Sequence, residues 1–222
     1  MKGTIVDISG KECHLYRDPD AEFLLIQPID EHELEVLDKE VESIKELSDK
    51  PFSLAAFIIK DWNQELTPWP APPVFGKVPF GSGATDTLEF VTSRLLPVVQ
   101  DEVSHVILGG YSLAGLFALW ASYQTDRFEG IVAASPSVWF PKWIEYATIN
   151  KPLTKSIYLS LGDKEEKTKN PVMAQVGNAI RKQEELLKGQ VEKTILEWNP
   201  GNHFVDSEKR MAKGFAWVMN SL

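Results

Sequence analysis

Cysteine is nearly absent from this chain of 222 residues, in which Cys13 is the only one. A lone cysteine can form no internal disulfide and has no second cysteine with which to hold zinc, so we expect a buried structural thiol. Long apolar runs are also missing. No stretch approaches the roughly 20 apolar residues of a membrane span, and the first ten residues lack the apolar core of a secretory signal. These absences predict a soluble, cytoplasmic protein.

Positive charge is scarce relative to negative charge, because 23 Lys and Arg residues stand against 32 Asp and Glu residues. An acidic surface repels phosphate backbones and anionic membranes, and no basic cluster with interleaved aromatic residues offsets it. We therefore expect neither a nucleic-acid nor a membrane partner. Hydrophobic residues make up 43% of the chain, an ordinary content for a globular protein. The length and composition together predict one domain spanning residues 1–222.

Apolar periodicity switches repeatedly between strand-like runs and helical spacing. Strands are predicted at residues 3–8, 12–16, 23–27, 54–59, 106–108, 131–134, 157–161 and 191–198. Helices are predicted at residues 30–49, with Asp30 as the N-cap, and at 87–100, 113–124, 141–149, 172–187 and 204–221. This alternation is typical of an α/β fold with a mostly parallel central sheet and helices on both faces. Most connections are short, so no separate cap domain is expected.

A chemical motif lies at residues 110–115 (GYSLAG), between an apolar strand and an apolar helix. This is the context of a nucleophile elbow, a strained turn that exposes a serine above the sheet. Gly110 and Ala114 are the small residues that such a turn requires on either side of Ser112. The backbone N–H of Leu113, at the start of the following helix, is predicted to donate to an oxyanion. A serine that merely caps the helix is the alternative interpretation.

Only four histidines compete for the role of general base. His14 and His105 lie on predicted strands, with His105 at the end of its strand opposite to Ser112, and His32 starts the first helix. His203 alone follows the last predicted strand, which is where an α/β-hydrolase carries its base. We therefore predict an α/β-hydrolase fold in which His203 activates Ser112.

The acidic partner of His203 should follow the penultimate strand and orient the imidazole. The chain reads LGDKEEKTKN there and offers Asp163, Glu165 and Glu166. A charge run of this kind is usually a solvated loop, and at most one of its members can face the histidine. The residues alone leave the choice among these three carboxylates open.

Four segments together resemble the putative-esterase group of α/β-hydrolases, which includes enterochelin esterases, feruloyl esterases and carboxylesterases of the esterase D type. The segments are GYSLAG at 110–115, ASPSVWF at 134–140, LGDKEEK at 161–167 and GNHF at 201–204. The resemblance covers roughly residues 52 to 222. It implies hydrolysis of carboxylic esters without a cofactor or a metal, through a triad of a serine, an acid and a histidine.

The resemblance also assigns residues, and it carries onto Ser112, Glu165 and His203. Related enzymes place the acid three residues after a glycine that ends the strand, which favours Glu165 after Gly162 and keeps Asp163 and Glu166 as alternatives. They draw a second oxyanion donor from the loop that here follows residues 54–59, and the backbone of Trp62 is the candidate.

Aromatic residues crowd the loops at the predicted carboxyl ends of the strands, where ligands bind in open α/β sheets. Trp139 and Trp69 are the candidates for contact with a substrate, and packing of the loop at 61–83 onto the domain is the alternative. The sequence therefore predicts a serine esterase that acts on a small-molecule ester through an acyl-enzyme. The alternatives are a thioesterase, peptidase or acyltransferase on the same triad, or a binding protein without catalysis.

Overall fold

A computed structural model describes residues 1–100 and 103–222. Eight strands form one sheet: β1 (Thr4–Ile8), β2 (Lys11–Tyr16), β3 (Phe23–Ile29), β4 (Phe52–Ile58), β5 (His105–Tyr111), β6 (Gly130–Ala134), β7 (Ser156–Gly162) and β8 (Lys193–Asn199). Their order across the sheet is β1-β2-β4-β3-β5-β6-β7-β8. Strands β3 to β8 pair in parallel, whereas β1 and β2 form an antiparallel edge. The predicted α/β fold with a mostly parallel sheet is confirmed.

Helices cover both faces of this sheet, as predicted. They are α1 (Glu31–Leu47), α2 (Trp62–Glu65), α3 (Ala84–Phe90), α4 (Leu96–Val99), α5 (Leu113–Ser122), α6 (Trp143–Ile149), α7 (Val176–Leu187) and α8 (Ser207–Ser221). Buried side chains of α1 and α8 pack with one face of the sheet, and those of α3 to α7 pack with the other. All seven residues of β3 are buried, as expected for a strand covered on both sides.

The helix predicted at 87–100 is longer and less regular than expected. It begins at Ala84, and a π-helical segment at Val91–Leu95 joins α3 to α4. Pro97 lacks the N–H that an α-helix would donate to the carbonyl four residues earlier, so the widened turn falls where the regular ladder fails. The loop predicted at 61–83 contains the short helix α2 and an antiparallel bridge between Ala71 and Phe80.

Several smaller predictions are confirmed or shifted. Cys13 is fully buried, and Asp30 caps α1 by accepting a hydrogen bond from the backbone N–H of Glu33. The last helix begins at Ser207 instead of 204, because Asp206 adopts a left-handed conformation (φ 53°) that no helix contains. Within the described ranges of the chain, no helix is long and apolar enough to cross a membrane.

Candidate active site

Ser112 lies on a strained turn between β5 and α5, with φ 58° and ψ −120°. A Cβ atom on Gly110 would lie 2.3 Å from the backbone carbonyl carbon of Ala114, so the turn admits no side chain there. The backbone N–H of Ser112 donates to the carbonyl of Ala134, and that of Ser137 donates to the carbonyl of Ser112. These two hydrogen bonds tie the turn to the end of β6 and the loop after it, and they stabilise the strained conformation of Ser112.

His203 lies in the loop between β8 and α8, and its two ring nitrogens contact two different side chains. Its Nε2 lies 3.1 Å from Oγ of Ser112, and its Nδ1 lies 2.7 Å from Oε2 of Glu165. The hydroxyl of Tyr111, at the end of β5, donates to the backbone carbonyl of His203 and anchors the loop. The structure thus joins the three predicted side chains in one hydrogen-bonded chain.

The carboxylate of Glu165 is almost fully buried, in a 3-10 turn after β7. Its Oε1 accepts hydrogen bonds from the Ser135 hydroxyl and the Gly162 backbone N–H, both at 2.7 Å, and from Nη1 of Arg210 at 3.0 Å. Burial by itself would raise the pKa of Glu165, but the hydrogen bonds from His203, Ser135 and Gly162 outweigh it and lower that pKa. The carboxylate is therefore ionised at neutral pH.

The two alternative carboxylates of this segment point elsewhere. Oδ1 of Asp163 accepts a hydrogen bond from the backbone N–H of Gly201, so it anchors the loop that carries the histidine. Glu166 pairs with Arg181 at 2.9 Å on the protein surface. Among Asp163, Glu165 and Glu166, only Glu165 has a described contact with the imidazole.

Ser112 and His203 open onto a cavity of about 670 Å³. Its wall is mostly apolar and includes Trp62, Phe75, Trp139, Met173, Val176 and Phe204. Charged and titratable groups line two further parts of the wall: Asp30, His32 and Glu33 at the start of α1, and Lys164 and Lys167 near the 3-10 turn after β7. Such a cavity suits an uncharged or amphipathic small molecule held against aromatic rings.

The two tryptophans predicted to contact a substrate have different positions. Trp139 lines the cavity and packs edge-on against Phe75, with ring centroids 6.1 Å apart. Trp69 is not among the residues that line it. The indole N–H of Trp69 donates to the carbonyl of Pro141 at 2.9 Å and its ring packs against Phe140, so it fastens the loop of residues 61–83 to the domain.

Two backbone groups were predicted to donate to an oxyanion. Leu113 is the first residue of α5, so its N–H lacks an intrahelical acceptor and sits at the positive end of the helix. Trp62 is the first residue of α2 and also lines the cavity. However, α2 follows β4, and the sheet order places β3 between β4 and the strand that carries Ser112.

The first turn of α1 follows β3, the strand directly beside β5. Asp30 and Glu33 form a capping box there, in which each side chain accepts a hydrogen bond from the backbone N–H of the other residue. The capping box leaves the N–H groups of Glu31 and His32 as the first-turn donors without a partner among the described residues. Sequence reasoning missed this pair because it tied the second donor to the loop after β4.

Three other polar groups beside the site were also missed: the hydroxyls of Tyr111 and Ser135 and the guanidinium of Arg210. The hydroxyl of Ser137, 3.5 Å from Oγ of Ser112, is a fourth. The serines belong to the ASPSVWF segment and could have been singled out there. Arg210 carries no sequence signal of this kind. As for metals, no group of three or more His, Cys, Asp or Glu within residues 1–100 and 103–222 is placed to hold an ion.

A mostly parallel eight-stranded sheet, a serine on a strained turn after β5, an acid after β7 and a histidine after β8 define the α/β-hydrolase class. The family model described as "Putative esterase" matches residues 56–213. The chain belongs to this family, which makes it a carboxylic ester hydrolase.

Solved structures share the fold at low identity. An IroE-like serine hydrolase from Shewanella oneidensis has a TM-score of 0.81 at 15% identity, over 99% of this chain and 80% of its own. Siderophore hydrolase EstB from Aspergillus nidulans has a TM-score of 0.76 at 16% identity, over 98% and 94%. The enterobactin esterase FES from Shigella flexneri has a TM-score of 0.69 at 15% identity, over 99% and 59%. No curated protein matches the sequence.

Proposed function

We propose that this protein hydrolyses a small-molecule carboxylic ester in two steps, with Ser112 as nucleophile, His203 as general base and Glu165 as the orienting acid. The observation that carries the proposal is the continuous chain of contacts from Oγ of Ser112 through the imidazole to the carboxylate, at 3.1 and 2.7 Å. A nucleophile and a base within hydrogen-bond reach, with the base oriented by a third group, are what acyl transfer requires.

In the first step, Oγ of Ser112 attacks the ester carbonyl carbon while its proton passes to Nε2 of His203. The tetrahedral intermediate collapses, the bond to the alcohol oxygen breaks, and His203 returns the proton to the leaving alcohol. In the second step, a water molecule gives a proton to His203 and attacks the acyl-enzyme. The bond between the acyl carbon and Oγ of Ser112 then breaks, and His203 returns the proton to Oγ, which releases the carboxylic acid and restores Ser112. Glu165 remains ionised and stabilises the imidazolium that forms in both steps.

The oxyanion of each intermediate needs at least two donors. The backbone N–H of Leu113 is one of them, since it lies next to the nucleophile at the start of α5. We assign the second to the first turn of α1, through the N–H of Glu31 or His32, because β3 is the direct neighbour of β5. The N–H of Trp62 is the alternative.

The cavity favours esters that carry a bulky apolar or aromatic group, because Trp62, Phe75 and Trp139 form much of the wall beside Ser112. One of the structural neighbours is named a siderophore hydrolase and another an enterobactin esterase. Siderophore esters therefore belong in the substrate panel together with simple alkyl and aryl esters. The order of the catalytic residues along one sheet supports a single catalytic domain over residues 1–222.

Ser112→Ala is the test of this proposal. We expect kcat/KM for short p-nitrophenyl esters to fall by about 10⁴-fold or more, and labelling by a fluorophosphonate to disappear. Ser93→Ala removes an exposed hydroxyl on the helical stretch between α3 and α4 and is the matched control, with activity and labelling unchanged. Turnover or labelling that survives in Ser112→Ala contradicts the assignment.

A further inference from the structure

An arginine is buried directly behind the three proposed catalytic side chains. Arg210 lies on α8 and is only 1% exposed. Its Nε finds no acceptor within residues 1–100 and 103–222. Burying a cation costs several kcal/mol unless its partners compensate, and one unmet donor adds to that cost. The position of this charge is therefore better explained by what it contacts than by a gain in stability.

One nitrogen of the guanidinium reaches the ends of three neighbouring strands. Nη1 lies 3.0 Å from each of three oxygens: the Tyr111 hydroxyl at the end of β5, the Ser135 hydroxyl after β6 and Oε1 of Glu165 after β7. The Tyr111 hydroxyl links Arg210 to the His203 loop, because it donates to the backbone carbonyl of His203 at 2.9 Å. Arg210 therefore contacts Glu165 directly and the backbone of His203 through Tyr111.

The other terminal nitrogen holds the loop that carries His203. Nη2 donates to the carbonyl of Asn202 at 2.9 Å and to that of Pro200 at 3.3 Å. The imidazole has no rigid element of its own, since it lies in the loop between β8 and α8. These two bonds tie the loop to α8 at the residues just before the histidine.

We propose that Arg210 is a positioning residue that fixes Glu165 and the His203 loop relative to each other and whose charge acts on the imidazole through the shared carboxylate. The inference rests on the proposed roles of Ser112, His203 and Glu165. Oε1 of Glu165 accepts hydrogen bonds from Arg210 and its neighbours, whereas Oε2 contacts Nδ1 of His203. A positive charge on the far oxygen weakens the attraction between the carboxylate and an imidazolium.

Other charged and titratable groups around the imidazole are accounted for in this scheme. Behind and below the ring are Glu165, Arg210 and Tyr111, and on the cavity wall are Asp30, His32, Glu33, Lys164 and Lys167. Burial raises the pKa of Tyr111 to about 12, so that hydroxyl stays neutral throughout the working range. The wall groups are unchanged in the variants below and contribute equally to each profile.

The test is the pH dependence of kcat/KM in Arg210→Met and Arg210→Lys, with a p-nitrophenyl ester as substrate. For Arg210→Met we expect kcat to fall about 10²-fold, as for a small misplacement of catalytic groups, with KM changed less than about threefold. We expect the acid limb of the profile to move up by about one pH unit, as for loss of a neighbouring charge. Arg210→Lys restores the position of the limb but not the full kcat, because an ammonium cannot reproduce the two-pronged contact.

Arg181→Met is the matched control, because Arg181 forms a surface ion pair with Glu166, the residue that follows Glu165 in the chain. It should leave kcat and the acid limb unchanged. An acid limb that stays in place in Arg210→Met, or that Arg210→Lys fails to restore, overturns the inference, as does a rise in KM with kcat intact. A fluorophosphonate label on Ser112 in the wild-type protein tests the proposed function independently of these outcomes.

Should Arg210→Met fail to fold, Tyr111→Phe carries the test. It keeps the guanidinium and Glu165 but cuts the link to the carbonyl of His203. We expect kcat to fall about tenfold with the acid limb in place, as for loss of one hydrogen bond. In a double-mutant cycle of Tyr111→Phe and Arg210→Lys, the two losses in kcat should be less than multiplicative because both variants act on one hydrogen-bond network. Fully multiplicative losses overturn the inference.

Discussion

Oε2 of Glu165 lies 2.7 Å from Nδ1 of His203. The neighbouring carboxylate, Glu166, faces the surface instead and pairs with Arg181. The two glutamates therefore offer a matched pair of isosteric variants. Glu165→Gln should lower kcat by about 10² to 10⁴-fold, because an amide can hold the wrong tautomer of the histidine and cannot stabilise the imidazolium. KM should change little, since Glu165 lies behind the imidazole.

The control variant, Glu166→Gln, should retain kcat within about twofold, because an exposed ion pair contributes little. Steady-state kinetics of both variants with one activated ester give the comparison. Equal losses in the two variants, or a loss confined to Glu166→Gln, would show that a different carboxylate orients His203.

The turn at Ser112 makes a second prediction, because its geometry excludes a side chain at Gly110. A Cβ at that position would lie 2.4 Å from the carbonyl oxygen of Ala114 and 2.7 Å from its Cβ. Gly110→Ala should therefore lower the free energy of unfolding by about 1–3 kcal/mol and abolish ester hydrolysis, as measured by urea unfolding and by kcat.

Ala114→Gly is the control on the same turn. It removes a methyl group and relieves no clash, so it should cost no more than about 1 kcal/mol of helix stability and retain activity. If Gly110→Ala keeps full activity, the elbow does not depend on the close approach seen between residues 110 and 114.

The cavity wall gives a third prediction, in which two tryptophans behave differently. Trp139→Ala should raise KM for aryl and long-chain esters several-fold and leave kcat for a short ester such as acetate nearly unchanged, because Trp139 faces the cavity. Trp69→Ala should lower the melting temperature and leave KM unchanged, since Trp69 packs against Phe140 and Tyr146. A KM effect in Trp69→Ala alone would reverse these assignments.

The predicted side chains that the structure brings together include two with a clear local signal. Ser112 has small residues at fixed distances, and His203 remains once the positions of the other histidines are considered. Glu165 was harder, because three carboxylates lie within four residues. The 3-10 turn at Glu165–Lys167 points the side chain of Glu165 toward the interior and leaves the other two carboxylates near solvent.

What the sequence could not supply is set by contacts between distant segments. The expectation for Trp62 depended on which strand neighbours β5, and the order β4-β3-β5 departs from the order along the chain. Arg210 belongs to an amphipathic helix, in which an arginine normally marks the solvent side. Its burial follows from acceptors on four separate segments, none of which signals an arginine by itself.

A final prediction concerns a buried carboxyl far from the chemistry. Glu40 lies on α1, is 4% exposed, and has Gln27 and Glu208 as its polar neighbours. Burial raises the pKa of Glu40 to about 8, from an ordinary value of 4.5. Between these two values the folded protein holds a proton on Glu40 that the unfolded chain has lost, so the contribution of Glu40 to stability falls as pH rises.

The decline should reach about 1.4 kcal/mol per pH unit at most, and it should level off above pH 8. Glu40→Gln replaces the carboxyl with a neutral isostere and should remove this contribution, so that the variant is more stable than the wild type at pH 8 and about equal to it near pH 4. Urea unfolding at pH 5, 6.5 and 8 measures the slope in both proteins. Parallel slopes would mean that Glu40 is ionised in the folded protein and that water or a rearranged partner reaches it.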